Sequence, residues 1–396
     1  MHPSFQIRLL LPTLCLLTAL GIFATSLYLP SLPSIGKSLS ASQESVQLTL
    51  ALFFLGSAFG SLLLGPLADH MGRLIVAKGG IVLFILASIW CANAQTITDL
   101  QIARFLQGMA ASAGPLVARA MGRDLYEGTS LTHFSATIMM VVSLSPAIAP
   151  TLGGVIETYF GWDKNFYFLA LFAFIISLMV WLWLPETNRS SNESTSFSSI
   201  LKNYALLFKD ASYGLFCLVI GLQMGSIFCY ITMSPYLYIS HFNWSPQEYG
   251  YIGITSAFGN IVGFAMARYM AHRLHFHQGI LIGSFACFIV SIIFVSICLI
   301  FDPTVYLVIF YSVIFYGFSA LAVVYSSAGA MNLFSSMAGV AAAMVGAVQI
   351  GAGVFGSVLA SSLPSSPLVL AVSMTSLSFL SFLIGVFIAK KSWLGR

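Results

Sequence analysis

Charged side chains are scarce in this chain. Asp, Glu, Lys and Arg make up 7% of its 396 residues, whereas they make up about a quarter of a typical soluble domain. Hydrophobic residues reach 58%, and the mean hydropathy is +0.93. This balance excludes an ordinary soluble protein and predicts an all-helical integral membrane protein, because a span must pair every backbone N–H and C=O within itself.

Several kinds of catalytic site are also missing. The sequence holds no phosphate-binding glycine loop with a lysine, no histidine-rich metal set and no nucleophile with a neighbouring base. The 6 cysteines fall in predicted spans without the close spacing of metal ligands, so we interpret them as packing residues. We expect no enzyme, no metal and no cofactor, and an ATP-driven pump would require a separate ATPase subunit.

Long apolar runs fill most of the chain instead. About 20 apolar residues are needed to cross about 30 Å of hydrocarbon, and about twelve runs reach that length. The predicted spans are 8–29, 45–64, 75–94, 99–120, 131–156, 165–185, 210–233, 247–267, 277–300, 304–328, 336–360 and 367–389. The first run could be read as a secretory signal, but it continues past Ala24 to Tyr28 and is too long for that purpose.

A Ser-rich polar stretch over 185–204 separates the first six spans from the last six. We therefore predict an N-terminal six-helix bundle over 1–188, a cytoplasmic linker over 189–209 and a C-terminal six-helix bundle over 210–396.

A weak internal repeat supports this division. The segment 263–273 matches the segment that begins at Gly65, with Gly263 opposite Gly65 and Ala267 opposite Asp69, and matching irregularities in two halves are typical of transporters. The repeat predicts two pseudo-symmetric bundles.

The basic residues predict the topology. If both termini are cytoplasmic, only Lys37 and Lys164 of the 16 Lys and Arg residues lie on the far side, and Arg104 lies inside a span. The positive-inside rule therefore predicts cytoplasmic termini. The net charge of +4 then reflects topology rather than nucleic-acid binding.

Three motifs carry a resemblance to a known family. The stretches are GPLADHMGRL at 65–74, IARFLQGMAASAG at 102–114 and SPAIAPTLGG at 145–154. They resemble, in order, the helix 2–3 loop, the fourth-helix Arg motif and the fifth-helix antiporter motif of the major facilitator superfamily, with Ala149 in place of the first Gly of the last pattern. The resemblance implies a two-bundle rocker-switch transporter.

Further stretches narrow the resemblance to one branch. They are YLPSLPSIG at 28–36, ARAMGRDLY at 118–126, GWDKNF at 161–166, LPET at 184–187 and, more weakly, FCYITMSPYLY at 228–238. Together they resemble the bicyclomycin and chloramphenicol resistance branch of the drug:proton antiporters.

The first motif predicts a cytoplasmic gate made of Gly65, Asp69, Gly72 and Arg73. The resemblance implies that Asp69 lies near the N-terminus of a helix in the other half, where a carboxylate is stabilised by about 0.3–1 kcal/mol. The two glycines would let the helix ends turn and pack closely. The alternative is a solvated loop whose charges only set topology.

The resemblance implies that Arg104, together with Gln107, couples substrate, proton and helix packing. A guanidinium inside a span costs at least about 2.5–3.5 kcal/mol, so it must face the bundle interior and find acceptors. Gln101 and Gln107 lie three residues on either side of it, on roughly the same helical face. The alternative is that Arg104 extends to the outer end of its helix.

The fifth-helix motif predicts a seal between moving halves. Pro146 and Pro150 interrupt the helical hydrogen bonds, and Gly153 and Gly154 remove side-chain bulk, so the helix can bend and pack tightly. Simple tolerance of Pro and Gly in membrane helices remains the alternative.

Polar residues on apolar helices suggest a substrate cavity. The candidates are Tyr28, Gln47, Gln223, Tyr230, Tyr236, Asn260 and Gln349. Polar groups in spans tend to face the bundle interior, although helix-packing hydrogen bonds would explain them equally well. With no acid at mid-membrane, a neutral or anionic, partly aromatic solute fits better than a lipophilic cation.

No acid of the sequence lies clearly at mid-membrane, where a proton carrier would be expected. The resembling branch usually carries an Asp where this chain has Ser26. The acids nearest to spans, Glu44, Asp99, Glu157, Glu248 and Asp302, lie near outer helix ends. Glu44, Asp99 or His133 remain as candidate carriers.

These observations predict a monomeric secondary transporter in the bilayer of a bacterial inner membrane. It would export a small organic solute, either a drug or a cell-made metabolite such as a siderophore, by alternating access with proton influx. An importer or facilitator on the same fold is the alternative, and a membrane receptor or enzyme is a more remote one.

Overall fold

The computed structural model describes residues 3–188, 206–207, 209–334 and 338–394, and every regular element in these ranges is helical. The first eight α-helices are α1 Pro3–Ser26, α2 Leu32–Ser38, α3 Gln43–Met71, α4 Arg73–Ala92, α5 Ile97–Ala111, α6 Ala113–Leu125, α7 Gly128–Phe160 and α8 Trp162–Trp183. The others described are α9 Ala211–Pro235, α10 Pro246–Gly250, α11 Ile252–Met270, α12 Phe276–Ile300, α13 Val305–Leu333, α14 Ala338–Ser361 and α15 Pro367–Leu394. A 3-10 turn, Leu29–Ser31, follows α1, and a π-helical turn, Tyr236–His241, follows α9.

The predicted membrane helices are confirmed. Within the described ranges, eleven segments are long and apolar enough to cross a membrane. The predicted span 99–120 is not among them, because it consists of two shorter helices, α5 and α6, that meet at Ser112.

The predicted loop at 65–74 is wrong in its extent. α3 continues through Pro66 to Met71, and α4 begins at Arg73, so the stretch is helical apart from Gly72. Leu, Ala and Met are good helix formers, and the chain turns only where Gly72 adopts a φ of 105°. Such a φ favours glycine because it has no Cβ.

The chain divides into two compact units. One comprises Met1–Thr195 together with Trp244–Gly253, and the other comprises Ser196–Asn243 together with Ile254–Arg396. The predicted linker over 189–209 lies outside the described residues, apart from 206, 207 and 209. The segment Trp244–Gly253, which includes α10, belongs to the first unit because it packs on α7.

Each unit has its own core of packed helices. In the first unit α3 packs on α5, α4 packs on α8, and α1 packs on α7. In the second unit α12 packs on α13 and α15, and α9 packs on α14. The cysteines are unpaired, and all but the half-buried Cys298 are buried, which agrees with their interpretation as packing residues.

Candidate functional site

Arg104 lies at the centre of the first unit. Its side chain is fully buried on α5. One guanidinium nitrogen, Nη1, donates to the Ala24 carbonyl at 3.0 Å and to Gln107 Oε1 at 2.5 Å. The group is therefore enclosed by protein and tied to the last turn of α1, rather than extended toward the end of its helix.

Aromatic rings complete the surroundings of the guanidinium. Its carbon lies 4.1 Å from the ring centre of Tyr28, 4.4 Å from that of Phe53 and 5.9 Å from that of Phe166. Ring faces attract cations at these distances. The rings come from the chain after α1, from α3 and from α8, so Arg104 contacts four parts of the unit at once. We call Arg104, Gln107 and these three rings the arginine cage.

Gln107 extends the arginine cage to α4. Its Nε2 donates to Ser88 Oγ at 2.8 Å, and Ser88 donates in turn to the Phe84 carbonyl. The two glutamines flanking Arg104 have different roles, because Gln101 donates to the Ser45 carbonyl instead. The pairing of Arg104 with Gln107 could be predicted from helical spacing, but the position of Gln101 could not.

The arginine cage contains a buried cation without a carboxylate partner. In the described part of the chain, ion pairs involve Arg73 and Lys164, and Arg104 Nε and Nη2 have no hydrogen-bond partner. Buried polar groups in native proteins are rarely left unpaired, and a lone buried charge is expensive. Arg104 therefore retains two donors that are available to an acceptor.

A second cluster surrounds the junction of α3 and α4. Arg73 Nη1 donates to Asp69 one turn earlier, and Arg73 Nε lies 3.4 Å from Asp124 Oδ2 at the end of α6. Asp124 Oδ2 also accepts from Thr187 Oγ1 at 2.8 Å. Asp69 and Arg73, both predicted as gate residues, are thus brought together inside the first unit.

Glu186 caps α4 from more than a hundred residues away. Its Oε1 accepts from the backbone N–H of Arg73 at 3.0 Å, and its Oε2 accepts from that of Leu74 at 3.0 Å. Oε1 also accepts from the N–H groups of Thr187 and Asn188. A carboxylate at a helix N-terminus satisfies the unpaired N–H groups there and the helix dipole.

This arrangement explains the charge state of Glu186 and the identity of Gly72. Partial burial on its own raises the pKa of Glu186, but four backbone N–H donors outweigh it and hold that pKa below its ordinary value of 4.5. A Cβ at Gly72 would lie 2.5 Å from Glu186 Oε2. We call Asp69, Gly72, Arg73, Asp124 and Glu186 the α3–α4 junction cluster. Gly65 lies further back on α3 and is half-buried, and a Cβ there would lie 3.8 Å from Leu116 Cδ1.

The proline and glycine motif lies where the backbone of neighbouring segments comes very close to α7. A Cβ on Gly153 would lie 1.8 Å from the Leu27 carbonyl oxygen, and one on Gly154 would lie 2.3 Å from that of Pro246. No side chain fits at either distance. The motif therefore packs directly against backbone on both sides.

The segment Trp244–Gly253 also contacts α7 through glycines, Gly250 and Gly253. A Cβ on Gly253 would lie 2.3 Å from the Pro146 carbonyl oxygen, and Thr151 Oγ1 donates to the Gly250 carbonyl at 3.1 Å. The Pro146 carbonyl lacks its usual helical partner, because Pro150 has no N–H to donate. Pro150 thus leaves the Pro146 carbonyl without a helical donor at the point where Gly253 packs against it.

The candidate cavity residues are divided between the two units. Tyr28, Gln47, Gln223, Tyr230 and Tyr236 are buried, whereas Asn260 and Gln349 are half-buried.

The clearest partners lie within single units. The Tyr28 hydroxyl lies 3.2 Å from Thr49 Oγ1, and the Tyr230 hydroxyl lies 3.1 Å from that of Tyr238. Gln223 Nε2 donates to Ser381 at 3.0 Å, while its Oε1 has no partner. These bonds favour helix packing for Tyr28 and Tyr230, and leave Gln223 with a free acceptor.

The proposed proton carriers have ordinary surroundings. Asp99 accepts from the Thr96 N–H and hydroxyl, and so forms the capping box of α5. Glu44 and His133 are exposed. Sequence reasoning missed Glu186 and Asp124, although both lie in the stretches at 184–187 and 118–126 that carry the family resemblance.

Comparison with known proteins identifies what this chain is similar to. The family model described as Major Facilitator Superfamily matches residues 14–361. An uncharacterized MFS-type transporter of Bacillus subtilis, YdgK, is 31% identical over 97% of this chain and 95% of its own length. These matches confirm the resemblance that the motifs predicted.

Relatives with assigned names cover less of the chain. A bicyclomycin resistance protein homolog of Haemophilus influenzae is 30% identical over 66% of this chain and 65% of its own length. A chloramphenicol resistance protein of Pseudomonas aeruginosa is 31% identical over 57% of this chain and 53% of its own length. The branch predicted from the sequence is the one to which these relatives belong.

Solved structures support the fold. A bacterial homolog of the lysosomal transporter Spinster, inward-facing and unoccupied, matches with a TM-score of 0.77 at 14% identity and covers 98% of this chain and 99% of its own. The D-xylose-proton symporter matches with a TM-score of 0.75 at 15% identity, over 96% and 97% of the two chains. At these identities the likeness concerns fold alone.

Proposed function

Because the chain belongs to the Major Facilitator Superfamily, we propose that this multi-pass membrane transporter exports a small organic solute, coupled to proton influx. The solute is either a drug or a cell-made metabolite such as a siderophore. The protein acts as a monomer in a bacterial inner membrane, with both termini in the cytoplasm. The names of the drug-resistance relatives support the direction of transport.

The buried cation of the arginine cage carries this proposal. A buried charge without an opposite charge is expensive to keep, so its retention points to a role beyond packing. The guanidinium bonds to α1 and lies against rings from three parts of the unit. A negative charge or an acceptor that arrives near it changes the balance of all these contacts, which couples binding to helix packing.

The same group suggests the class of solute. Arg104 Nε and Nη2 can donate to a carboxylate, phenolate or carbonyl, and the surrounding rings suit an aromatic or apolar body. A neutral or anionic, partly aromatic solute therefore fits better than a lipophilic cation.

Alternating access needs contacts that form in one state and open in another. We assign the cytoplasmic gate to Gly65 and the α3–α4 junction cluster, where Asp69 is the most exposed of the charged partners of Arg73. We assign the seal between moving halves to the α7 motif from Pro146 to Gly154 and its contact with Trp244–Gly253. This segment belongs to the second half of the sequence but packs on α7.

Whole cells give the first test. Cells that lack this protein are compared with cells restored by the wild-type chain, with endogenous metabolites and a drug panel measured inside and outside. A compound retained inside only when the protein is missing would support export and identify the solute class. A compound excluded only when the protein is missing would favour import instead.

Import on the same fold is the second candidate, and Ser26 favours it. Ser26 ends α1 two residues after the Ala24 carbonyl that Arg104 binds, in a place where the resistance branch usually carries an acid. A transporter without a proton carrier would move solute down its gradient. A transport rate that does not change when a proton gradient is imposed would favour this alternative.

A further inference from the structure

Glu157 is the acid whose surroundings differ from those of every other described acid. It is 9% exposed, and no other Asp or Glu of the described ranges is buried. The other described acids either have a structural partner or are exposed: Asp69, Asp99, Asp124, Asp163, Asp210, Glu186 and Glu248 bind a neighbour, and Glu44, Glu127 and Asp302 face solvent. Glu193 lies outside the described residues.

The Glu157 carboxyl group has an unsatisfied oxygen. Its Oε2 is buried and has no hydrogen-bond partner among the described residues. Glu157 also lies in the last turn of α7, which ends at Phe160. The carbonyl end of a helix is unfavourable for a carboxylate, because the partial charges there are negative. Both observations disfavour a purely structural carboxylate.

A second unsatisfied acceptor lies at the same turn. Asn165 Nδ2 donates to Ser31 Oγ at 2.8 Å and lies 3.3 Å from the Gly153 carbonyl oxygen. Helical geometry makes that carbonyl the acceptor of the Glu157 N–H as well. Asn165 Oδ1, like Glu157 Oε2, is buried without a partner. A proton on Glu157 would add a donor at this turn.

The last turns of α7 lie close to the end of α1, where Ser26 lies. Gly153, one turn before Glu157, packs on the Leu27 carbonyl, and Leu27 directly follows Ser26. Glu157 therefore lies on the α7 turn that faces the end of α1. An acid inside a span is the usual means of carrying a proton, and α7 has one a single turn after the glycine that packs on the residue following Ser26.

We propose that Glu157 binds and releases the proton whose influx drives transport. This deepens the proposed function and rests on it. Uptake forms an O–H bond at the carboxylate from a proton of the medium beyond the Phe160 end of α7. Release breaks that bond after the site opens to the opposite side, and no other reactant is required.

The charged groups on neighbouring elements have other partners. At this end of α7, Asp163 and Lys164 at the start of α8 pair with each other, and Glu248 on α10 caps that helix at Ser245. Lys37 on α2 is exposed. The Tyr28 hydroxyl lies against Thr49, and its ring lies over the Arg104 guanidinium. Tyr249 on α10 is buried.

Carbodiimide labelling tests protonation without knowledge of the solute. Dicyclohexylcarbodiimide modifies protonated carboxyls in apolar surroundings, and peptide mass spectrometry locates the adduct on the purified full chain. We expect an adduct at Glu157 that increases at least several-fold from alkaline to acid pH, persists in Asp302→Asn and is absent in Glu157→Gln. An unmodified Glu157 at every pH, or labelling that does not change with pH, would overturn the proposal.

Transport then separates this proposal from the function on which it rests. The solute identified by the cell comparison is then measured in proteoliposomes. We expect Glu157→Gln to retain solute exchange, while its transport driven by a pH gradient falls at least ten-fold. The control Asp302→Asn should behave as wild type. If the wild type is driven by the gradient and Glu157→Gln is driven equally well, the assignment to Glu157 fails alone. If the wild type ignores the gradient, the proposed coupling fails with it.

Discussion

Replacing Arg104 with methionine distinguishes a functional cation from a structural one. Methionine has a similar length and no charge, so the arginine cage keeps much of its volume. The variant loses the bonds from Nη1 to Ala24 and Gln107, at about 1.5–3 kcal/mol for each hydrogen bond to a charged group. It also loses attraction to three rings, worth about 0.5–2 kcal/mol at such sites.

The gains are of similar size. Removing the charge removes a desolvation penalty of several kcal/mol, which includes the cost of the two donors, Nε and Nη2, that have no partner. The two sides nearly cancel. We therefore expect the stability of Arg104→Met to lie within about 2 kcal/mol of the wild type, whereas transport falls at least ten-fold.

Two measurements on the same preparation decide the matter. Thermal unfolding of the purified protein in detergent reports stability, and efflux of the identified solute reports transport. Gln101→Met on the same helix is the matched control, because it loses one bond to Ser45 and should transport normally. A well-folded Arg104→Met that transports at wild-type rate would refute the coupling role, and one that fails to fold would show that the cation is structural.

Three further predictions follow from the other contacts. Asp69→Ala should lower transport several-fold while the protein remains in the membrane, and unchanged transport would remove Asp69 from the gate. Gly154→Val should clash with the Pro246 carbonyl at about 1–3 kcal/mol and lower both the melting temperature and transport, while Gly214→Ala, with open space around it, should change neither. Because the pKa of Glu186 is lowered in the folded state, its contribution is present above about pH 4.5 and is lost as the pH falls through that lowered value. Glu186→Gln should reduce stability at neutral pH by about 0.5–1 kcal/mol, given its exposure, and equal stability at pH 7 would contradict the capping role.

Local sequence patterns predicted the parts that depend on local chemistry. Apolar runs of sufficient length predicted the membrane helices, and a spacing of three residues on a helix predicted that Arg104 meets Gln107. Helix ends were less accurate, because α3 continues through an apparent loop to Gly72. There the polar residues lie on helix rather than on a turn.

Contacts between distant residues could not be predicted in this way. Glu186 lies 113 residues from the N–H of Arg73 that it caps, and no local pattern relates them. Phe53 and Phe166 are ordinary apolar residues in the sequence. Their role in the arginine cage appears only in the structure, because α3 and α8 bring both rings to one guanidinium. Glu157 was visible as an acid near a helix end, but its burial depends on packing.

The cap at Glu186 also determines how much chain the first unit needs. A fragment that stops at Trp183 contains every helix up to α8, yet it leaves the first N–H groups of α4 without the carboxylate that satisfies them. It also removes Thr187, which holds Asp124, and Asn188, which binds the Asp69 carbonyl. The N-terminal part of the first unit is therefore completed by three polar residues after α8, and an exchange of halves between relatives should be joined beyond Asn188.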